Sequence, residues 1–313
     1  MLHELIVDPT ERGERLDVVL ERRLDGCSRS LVARCIKEGR CRIDPGKTKP
    51  GYRLRGGEHI VIEVPEIEPL EAVPEDLPLS ILWEDEHYLA IDKTPGMVVH
   101  PAIGHPRGTL VNALLGYLGH QGGGLRPGLI HRLDADTSGV ILVAKDPTAL
   151  AAAQDAFRRR QVKKCYCALL AGRPRADTWG VDAWLGRHPK DFRRRAVLPA
   201  DSRNAKTAST RFVVRQQADG YAVAEARPHT GRTHQIRVHA AHGGHPILAD
   251  AVYGRSRQWP LSPRPEQPVL QRQALHAWRL RLQHPLDDSE LDLQAPIPAD
   301  LQAWVEPGLT PLD

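Results

Sequence analysis

A polar cluster at residues 131–138 carries the side chains that could do chemistry in this chain. It contains a histidine, an arginine, two carboxylates and two hydroxyls (His131, Arg132, Asp134, Asp136, Thr137, Ser138). The apolar run at 140–144 follows directly and is typical of a buried strand. We therefore expect the cluster on a loop held by a rigid strand, where catalytic groups are often found. Taken alone, Asp134 would more often be a turn or capping residue than a catalyst.

Nucleotide-binding motifs are absent from the sequence. It has no G-x-x-x-x-G-K-[ST] and no G-x-G-x-x-G between a strand and a helix. The three glycines at 122–124 are most simply a flexible loop. Nothing in the pattern indicates bound ATP or a dinucleotide.

Two other chemistries can be written for these residues, and both lack support. Four histidines fall within twelve residues (His234, His239, His242, His245). No H-E-x-x-H is present and no carboxylate follows until Asp250, whereas zinc needs closely spaced ligands backed by further contacts. Structural or RNA-contacting histidines are favoured, and we expect no metal. A triad of Ser138 with a histidine and Asp134 or Asp136 lacks the G-x-S-x-G pattern.

The basic residues are segregated, although the formal net charge of the 313 residues is only +4. Nine basic residues fall in 29–55, nine in 187–215 and five in 158–164. The first stretch includes Arg29, Arg34, Lys37 and Arg40, which we take as candidate RNA-binding residues. Three such stretches favour a polyanion, and arginine suits phosphates and base edges.

The remaining composition narrows the class of protein. Five cysteines without a C-x-x-C pair indicate neither a disulfide framework nor a zinc ribbon. The sequence shows no hydrophobic signal segment and no apolar run of bilayer length. We expect a soluble, cytoplasmic protein, and a monomer.

Composition divides the chain into a small unit at 1–66, an acidic proline-rich linker at 67–79 and a large unit at 80–313. In the small unit, apolar spacing predicts a helix near 16–24 and a second one from the proposed N-cap Ser28 to the stop Gly39. Strands are predicted at 42–44 and 59–64.

The large unit alternates short strands and helices. Strands are predicted at 88–92, 140–144, 165–171, 208–214, 221–226 and 280–282, and helices at 110–118, 148–160 and 234–242. Several strands follow one another without a helix between them. This order favours an α+β fold with a mixed, mainly antiparallel sheet.

Several segments of the chain resemble known families. HRLDADTSG at 131–139 is similar to the signature of the RluA family of pseudouridine synthases, which act on ribosomal RNA. Further family motifs follow in order at 92–101, 164–172, 230–239 and 273–277, with a closing His-Pro at 284–285. The helix-helix-strand pattern at about 12–66 resembles the RNA-binding domain of ribosomal small-subunit protein four. Two departures are Thr94, where the family usually has proline, and Ala249, where it usually has glycine.

The resemblance implies roles for individual residues. Asp134 takes the position of the catalytic aspartate, Tyr166 that of the tyrosine against the target base, and Arg237 that of the arginine paired with the aspartate. Arg132 takes the position of the residue that enters the RNA stack when the base leaves. His131 and Arg232, within the same motifs, are expected at the RNA.

The implied reaction is the isomerisation of uridine to pseudouridine in 23S ribosomal RNA or a pre-50S particle. It involves no net redox change, so no cofactor is expected. Stacked bases are out of reach, and the uridine must flip out at a cost of a few kcal/mol. Alternatives are a non-catalytic RNA-binding or ribosome-assembly factor on the same fold, a related synthase subtype, a synthase for transfer RNA, and a metal-dependent hydrolase.

Overall fold

The computed structural model describes residues 1–24, 27, 29–65, 72–102, 104–120, 127–191, 193–202, 204–254, 256–260 and 268–312. The proposed N-cap Ser28, the basic residue Arg203, the glycines at 122–124 and the first part of the predicted linker lie outside them. The chain forms two compact units, Met1–Glu71 and Ala72–Asp313.

The first unit packs two helices on a small antiparallel sheet. Its elements are β1 (Leu2–Ile6), α1 (Leu16–Arg23), α2 (Arg29–Lys37), β2 (Cys41–Asp44) and β3 (His59–Glu63). The strand order is β1-β3-β2. The alternation of β2 and β3 sends Ile43, Ile60 and Ile62 into a core that also holds the apolar faces of both helices. The predicted helices and strands are confirmed here, and β1 was missed.

The second unit is built around one large sheet. Its strands are β4 (Ile81–Glu84), β5 (Tyr88–Lys93), β6 (Gly128–Leu129), β7 (Ser138–Ala144), β8 (Lys163–Ala171), β9 (Thr178–Arg187), β10 (Arg195–Leu198), β11 (Lys206–Ala218), β12 (Tyr221–Pro228), β13 (Leu275–Gln283) and β14 (Glu290–Gln294). Its helices are α3 (Leu110–His120), α4 (Pro147–Arg158), α5 (Gln235–His242) and α6 (Ala299–Gln302).

The order of the sheet is β10-β9-β11-β12-β8-β13-β7-β5-β4, with β14 beside β13 and β6 beside β7. Among the described strands, β7 and β13 form the one parallel pair. The predicted α+β fold with a mixed, mainly antiparallel sheet is therefore confirmed.

Burial on both faces explains the continuous apolar run of β7. Val140 and Leu142 pack in one core cluster, whereas Ile141 and Val143 pack in another. Successive strand residues point to opposite faces, so a strand covered on both sides cannot alternate with polar residues. This strand gives the polar loop before it a rigid support.

The three helices predicted in this unit are confirmed to within two residues at each end. Asp146 caps α4 by accepting a hydrogen bond from the Ala149 amide, and Pro147 occupies the first turn, where its missing N–H is tolerated. The strands β4, β6, β9, β10 and β14 were missed. The part of the predicted linker that the structure describes contains no helix or strand, and Glu75 donates its amide to Asn112 of α3.

Candidate active site

The loop with Asp134 leads into β7. The position at which this loop joins the sheet is determined by the close approach of β7 to β13. Gly139 has φ +108°, and a Cβ built there would lie 2.1 Å from the carbonyl oxygen of Ala277 on β13. A side chain cannot be accommodated against that backbone without a shift. The glycine that ends the 131–139 segment therefore permits the parallel pairing of β7 with β13 directly after the polar loop.

Backbone carbonyls of the loop are held from two sides. The carbonyl of Ala135 accepts hydrogen bonds from the Gly96 amide at 2.9 Å and from Lys93 Nζ at 2.8 Å. The carbonyl of Asp136 accepts one from Arg272 Nη1 at 2.9 Å. The segments 92–101 and 272–277 thus brace the loop, which fixes the geometry of Asp134 before any substrate binds.

Lys93 is a buried cation whose hydrogen bonds are internal. It is 1% exposed, and its Nζ also donates to the carbonyls of Thr94 and Met97 at 2.8 and 3.0 Å. Burial lowers the pKa of Lys93 to about 8. Its three carbonyl acceptors tie the loop after β5 to the loop before β7.

Arg237 connects Asp134 to a second, fully buried carboxylate. Its Nη1 donates to Asp134 Oδ2 at 2.8 Å, while Nε and Nη2 donate to the two oxygens of Asp250 at 2.6 and 2.8 Å. Burial alone would lower the pKa of Arg237, but Asp250 and then Asp134 raise it overall. The guanidinium is therefore permanently charged and held at a fixed position beside Asp134.

Asp250 was not predicted as a site residue. Its Oδ1 also accepts hydrogen bonds from the amides of Val252 and Tyr253 at 2.9 and 3.0 Å. Burial alone would raise its pKa, but Arg237 and these amides lower it overall. The signal in the sequence was an acidic residue thirteen positions after Arg237, but spacing alone does not reveal that a turn brings them together.

His234 approaches Asp134 from the start of α5. Its Nε2 lies 3.8 Å from Asp134 Oδ2, and its Nδ1 lies 2.9 Å from the Tyr253 hydroxyl. Burial lowers the pKa of His234, with Asp134 opposing and Arg237 adding to that shift. Its φ of 57° is unusual for a side chain other than glycine, and such conformations concentrate at functional sites.

Tyr166 lies on β8 and lines the same cavity as Asp134. Burial, followed by the charge of Asp134, raises the pKa of its hydroxyl. The tyrosine is therefore protonated at neutral pH, with a flat ring available beside the carboxylate.

The cavity has a volume of about 510 Å³. We call Asp134, Tyr166 and Arg237 its floor. We call the basic residues around it its rim (Arg132, Arg158, Arg160, Arg232). Three rim residues are exposed and Arg232 is half-buried. The predicted residues of the large unit are thus brought together around one space.

His131 also lines this cavity but is engaged by the protein. Its Nε2 accepts a hydrogen bond from the Leu142 amide at 3.0 Å, and its ring stacks on Phe157 with centroids 4.9 Å apart. Burial lowers the pKa of His131 to about 3. These contacts support a structural role for a neutral ring, beside the expected one at the RNA.

The four basic residues predicted for RNA binding in the first unit lie on or just after α2. Arg29 is ion-paired with the buried Asp17 at 3.0 Å. Arg34 and Arg40 lie 4.0 and 3.3 Å from Glu38. Lys37 is exposed and has no ion-pair partner among the described residues.

The clustered histidines make contacts with protein groups. His239 Nδ1 lies 3.0 Å from Thr210 Oγ1, and His245 Nδ1 lies 2.9 Å from the Ala171 carbonyl. Within the described ranges, no group of three His, Cys, Asp or Glu side chains is arranged to hold a metal ion. No helix in the described part of the chain is long and apolar enough to cross a membrane.

Comparison with known proteins supports the class of protein that this fold and site define. Residues 87–242 match the RNA pseudouridylate synthase family, and residues 14–60 match the S4 domain. The chain is 38% identical to ribosomal large subunit pseudouridine synthase D of Xanthomonas campestris, with 96% of this chain and 91% of that protein covered. With the enzyme of the same name from Escherichia coli it shares 36% identity, over 96% and 92%.

A solved structure shares the fold. Human RNA pseudouridylate synthase domain containing 1 superposes with a TM-score of 0.55 at 28% identity, covering 74% of this chain and 86% of that one. The chain therefore belongs to the RNA pseudouridine synthase family, with an N-terminal S4 domain. The predicted family is confirmed, and the chain is an RNA-modifying isomerase.

Proposed function

We propose that this protein isomerises specific uridines of large-subunit (23S) ribosomal RNA to pseudouridine, as a synthase of the D type, in the cytoplasm. One observation carries the assignment of the chemistry to Asp134. Among the described residues that line the cavity, Asp134 is the one carboxylate, and Tyr166 and Arg237 lie beside it.

The isomerisation breaks the bond between N1 and C1′ and joins C5 to C1′. The proton on C5 is lost and N1 gains one, so atoms and oxidation state balance without a redox partner. An aspartate can act on the sugar or base as a nucleophile or as a proton acceptor. Arg237 holds the carboxylate in a fixed orientation, because its guanidinium is itself hydrogen-bonded to Asp250.

The substrate uridine has to leave its stack to reach Asp134. We assign Tyr166 to packing against the flipped base, since its ring lies in the cavity with the carboxylate. We assign Arg132 to the gap left in the RNA, because it is exposed at the cavity and has no hydrogen bond or ion pair to a described residue. The basic rim supplies attraction to the backbone that does not depend on sequence.

The ribosomal substrate is supported by relatives of similar length that bear the name ribosomal large subunit pseudouridine synthase D at 36–40% identity. The S4 domain supports it as well, since the domain that it resembles binds ribosomal RNA.

The test is to map pseudouridines in the 23S ribosomal RNA of cells that lack the gene. We expect specific sites to disappear, to return with the wild-type gene, and to remain absent with Asp134→Asn. If no pseudouridine disappears from 23S ribosomal RNA, the substrate assignment is wrong. If the Asn variant restores the sites as well as wild type, the protein does not act through Asp134.

A further inference from the structure

Lys164 is a cation of the cavity to which the proposed reaction assigns no role. It lies two residues before Tyr166 on β8, and alternate residues of a strand point to the same face about 6.6 Å apart. Both side chains line the cavity with Asp134. The Lys164 ammonium is therefore on the substrate side of the strand, next to the ring expected to pack against the base.

The three most enclosed lysines differ in how their charge is satisfied. Lys93 Nζ donates to three carbonyls, and Lys145 Nζ is ion-paired with Glu84 at 2.7 Å. Lys164 Nζ has one long contact, 3.4 Å to the Thr230 carbonyl, and a position 6.0 Å from the centroid of the Phe157 ring. No described carboxylate lies within ion-pairing distance of it.

An ammonium can make three hydrogen bonds, so this group has unused donors. Burial lowers the pKa of Lys164 to about 8, with no acidic neighbour acting against that shift. The ammonium is therefore still largely charged at neutral pH, without a counter-ion among the described residues. A bound anion would supply the negative charge that the described residues do not place beside this ammonium.

The approach to Lys164 is open. A Cβ placed on the exposed Gly231 would lie 3.7 Å from Lys164 Nζ, so the missing side chain leaves the ammonium reachable from the cavity. Arg232 follows on the same loop and adds positive charge to the cavity lining. The nearby carboxylate, Asp134, is already engaged by Arg237.

We propose that Lys164 binds a backbone phosphate of the RNA beside the flipped uridine and so positions that nucleotide over Asp134 and Tyr166. A lysine serves here as a compact point charge for phosphate. This inference rests on the proposed function, which supplies the RNA substrate, the flipped uridine and the roles of Asp134 and Tyr166.

The test is the salt dependence of binding to an in vitro transcript of 23S ribosomal RNA. We expect Lys164→Met to weaken binding about tenfold or more, since a hydrogen bond to a charged group is lost. The slope of log K against log salt should fall by about 0.7 to 0.9, the loss of one phosphate contact. Lys164→Arg should retain most of the slope.

Lys163→Met is the matched control. Lys163 is the adjacent residue of β8, it is exposed, and its position on the strand directs it to the opposite face. Lys163 belongs to the basic stretch 158–164 but does not line the cavity, so we expect its slope and affinity to change much less than those of Lys164→Met. Equal slopes for wild type and Lys164→Met, or equal losses in the two methionine variants, would overturn the proposal.

Acetylation of the wild-type protein provides an answer that does not depend on the folding of a variant. We expect the 23S transcript to protect Lys164 from acetic anhydride, as measured by peptide mass spectrometry, and to leave Lys163 labelled as before. Equal labelling of Lys164 with and without RNA would contradict the phosphate contact.

Pseudouridine formation by the wild-type protein on the same transcript is scored separately. If Lys164→Met lowers the salt slope but the wild-type protein forms no pseudouridine on this transcript, the contact of Lys164 with RNA is supported and the assigned reaction or substrate is wrong.

Discussion

The floor and the rim of the cavity both contain arginine, but the surroundings of Arg237 on the floor differ from those of Arg132 on the rim. On the floor, Arg237 is 5% exposed and donates three hydrogen bonds to two carboxylates. On the rim, Arg132 is exposed and makes no ion pair with a described residue. A buried charge must be paired because its desolvation is costly, whereas an exposed charge remains available to a partner. The floor is thus arranged for fixed geometry and the rim for attraction.

The largest effect expected from this difference is on turnover. Asp134→Asn should lower kcat about a thousandfold or more, because the carboxylate is lost while its position remains filled. RNA affinity should stay close to wild type, since the rim is unchanged. Single-turnover assays and filter binding on the 23S transcript measure the two quantities. Retention of even a tenth of the wild-type rate would remove Asp134 from the chemistry.

A large effect on stability is expected behind the floor. Asp250→Asn leaves the buried Arg237 with Asp134 as its remaining carboxylate among the described residues, and the loss of the charge-assisted hydrogen bonds to Asp250 should lower the free energy of unfolding of the second unit by about 1.5–3 kcal/mol. Urea unfolding of the whole chain measures this loss. Asp219→Asn is the control, because that carboxylate is exposed and 3.8 Å from Arg173, and it should change stability by less than about 0.5 kcal/mol. Equal stability of the two variants would mean that the floor is not held together by its ion pairs.

A smaller effect is expected on the rim. Arg132→Ala should weaken binding to the 23S transcript by about 1 kcal/mol, roughly fivefold, with unfolding unchanged. The same filter-binding assay, with melting curves for both proteins, checks the two halves of the expectation. A fall in stability without a fall in affinity would show that Arg132 has a structural role. The rim and the floor would then not differ in the way described.

The smallest effect expected is a gain beside Asp250. Ala249 has φ +54°, a left-handed conformation that costs about 1–2 kcal/mol for a side chain but not for glycine. Allowing for the greater freedom of unfolded glycine, Ala249→Gly should stabilise by about 0.5–1 kcal/mol in urea unfolding. Ala151→Gly, at an exposed position in the interior of α4, should destabilise by about 1 kcal/mol. If both glycine variants changed the free energy of unfolding in the same direction, backbone strain would not be the difference between the two positions.

This left-handed conformation explains why the family usually has glycine at a position where this sequence departs from the pattern. Glycine is usual at position 249, and the observed φ is the reason that glycine suits the turn before Asp250. The other departure, Thr94, lies in the loop after β5, where backbone carbonyls accept the hydrogen bonds of Lys93. The Thr94 carbonyl accepts from Lys93 Nζ, and that contact does not depend on the side chain.

Much of the fold could be read from local patterns. The buried strand after Asp134 was recognisable from its apolar run, and the helices predicted at 110–118, 148–160 and 234–242 lie within two residues of those observed. β9 was overlooked although its exposed and half-buried residues alternate, because two of its exposed positions hold Gly180 and Asp182, residue types that are depleted in strands. β4 and β10 have four residues each, too few for a periodicity to stand out.

The sequence by itself determined the family, the order of the two domains and the residue types of the site. Each motif is a short run of neighbouring residues, so its residue types can be recognised without knowledge of what they contact. The resemblance implied the pair of Asp134 with Arg237, and the tertiary structure decided how the other charges are paired. Asp134 and Arg237 lie 103 residues apart, and the clamp of Arg237 by Asp250 depends on a turn that no spacing rule predicts. The same three-dimensional packing left Lys164 without a counter-ion in the described part of the chain and left Arg132 exposed, because burial and pairing are properties of the assembled sheet.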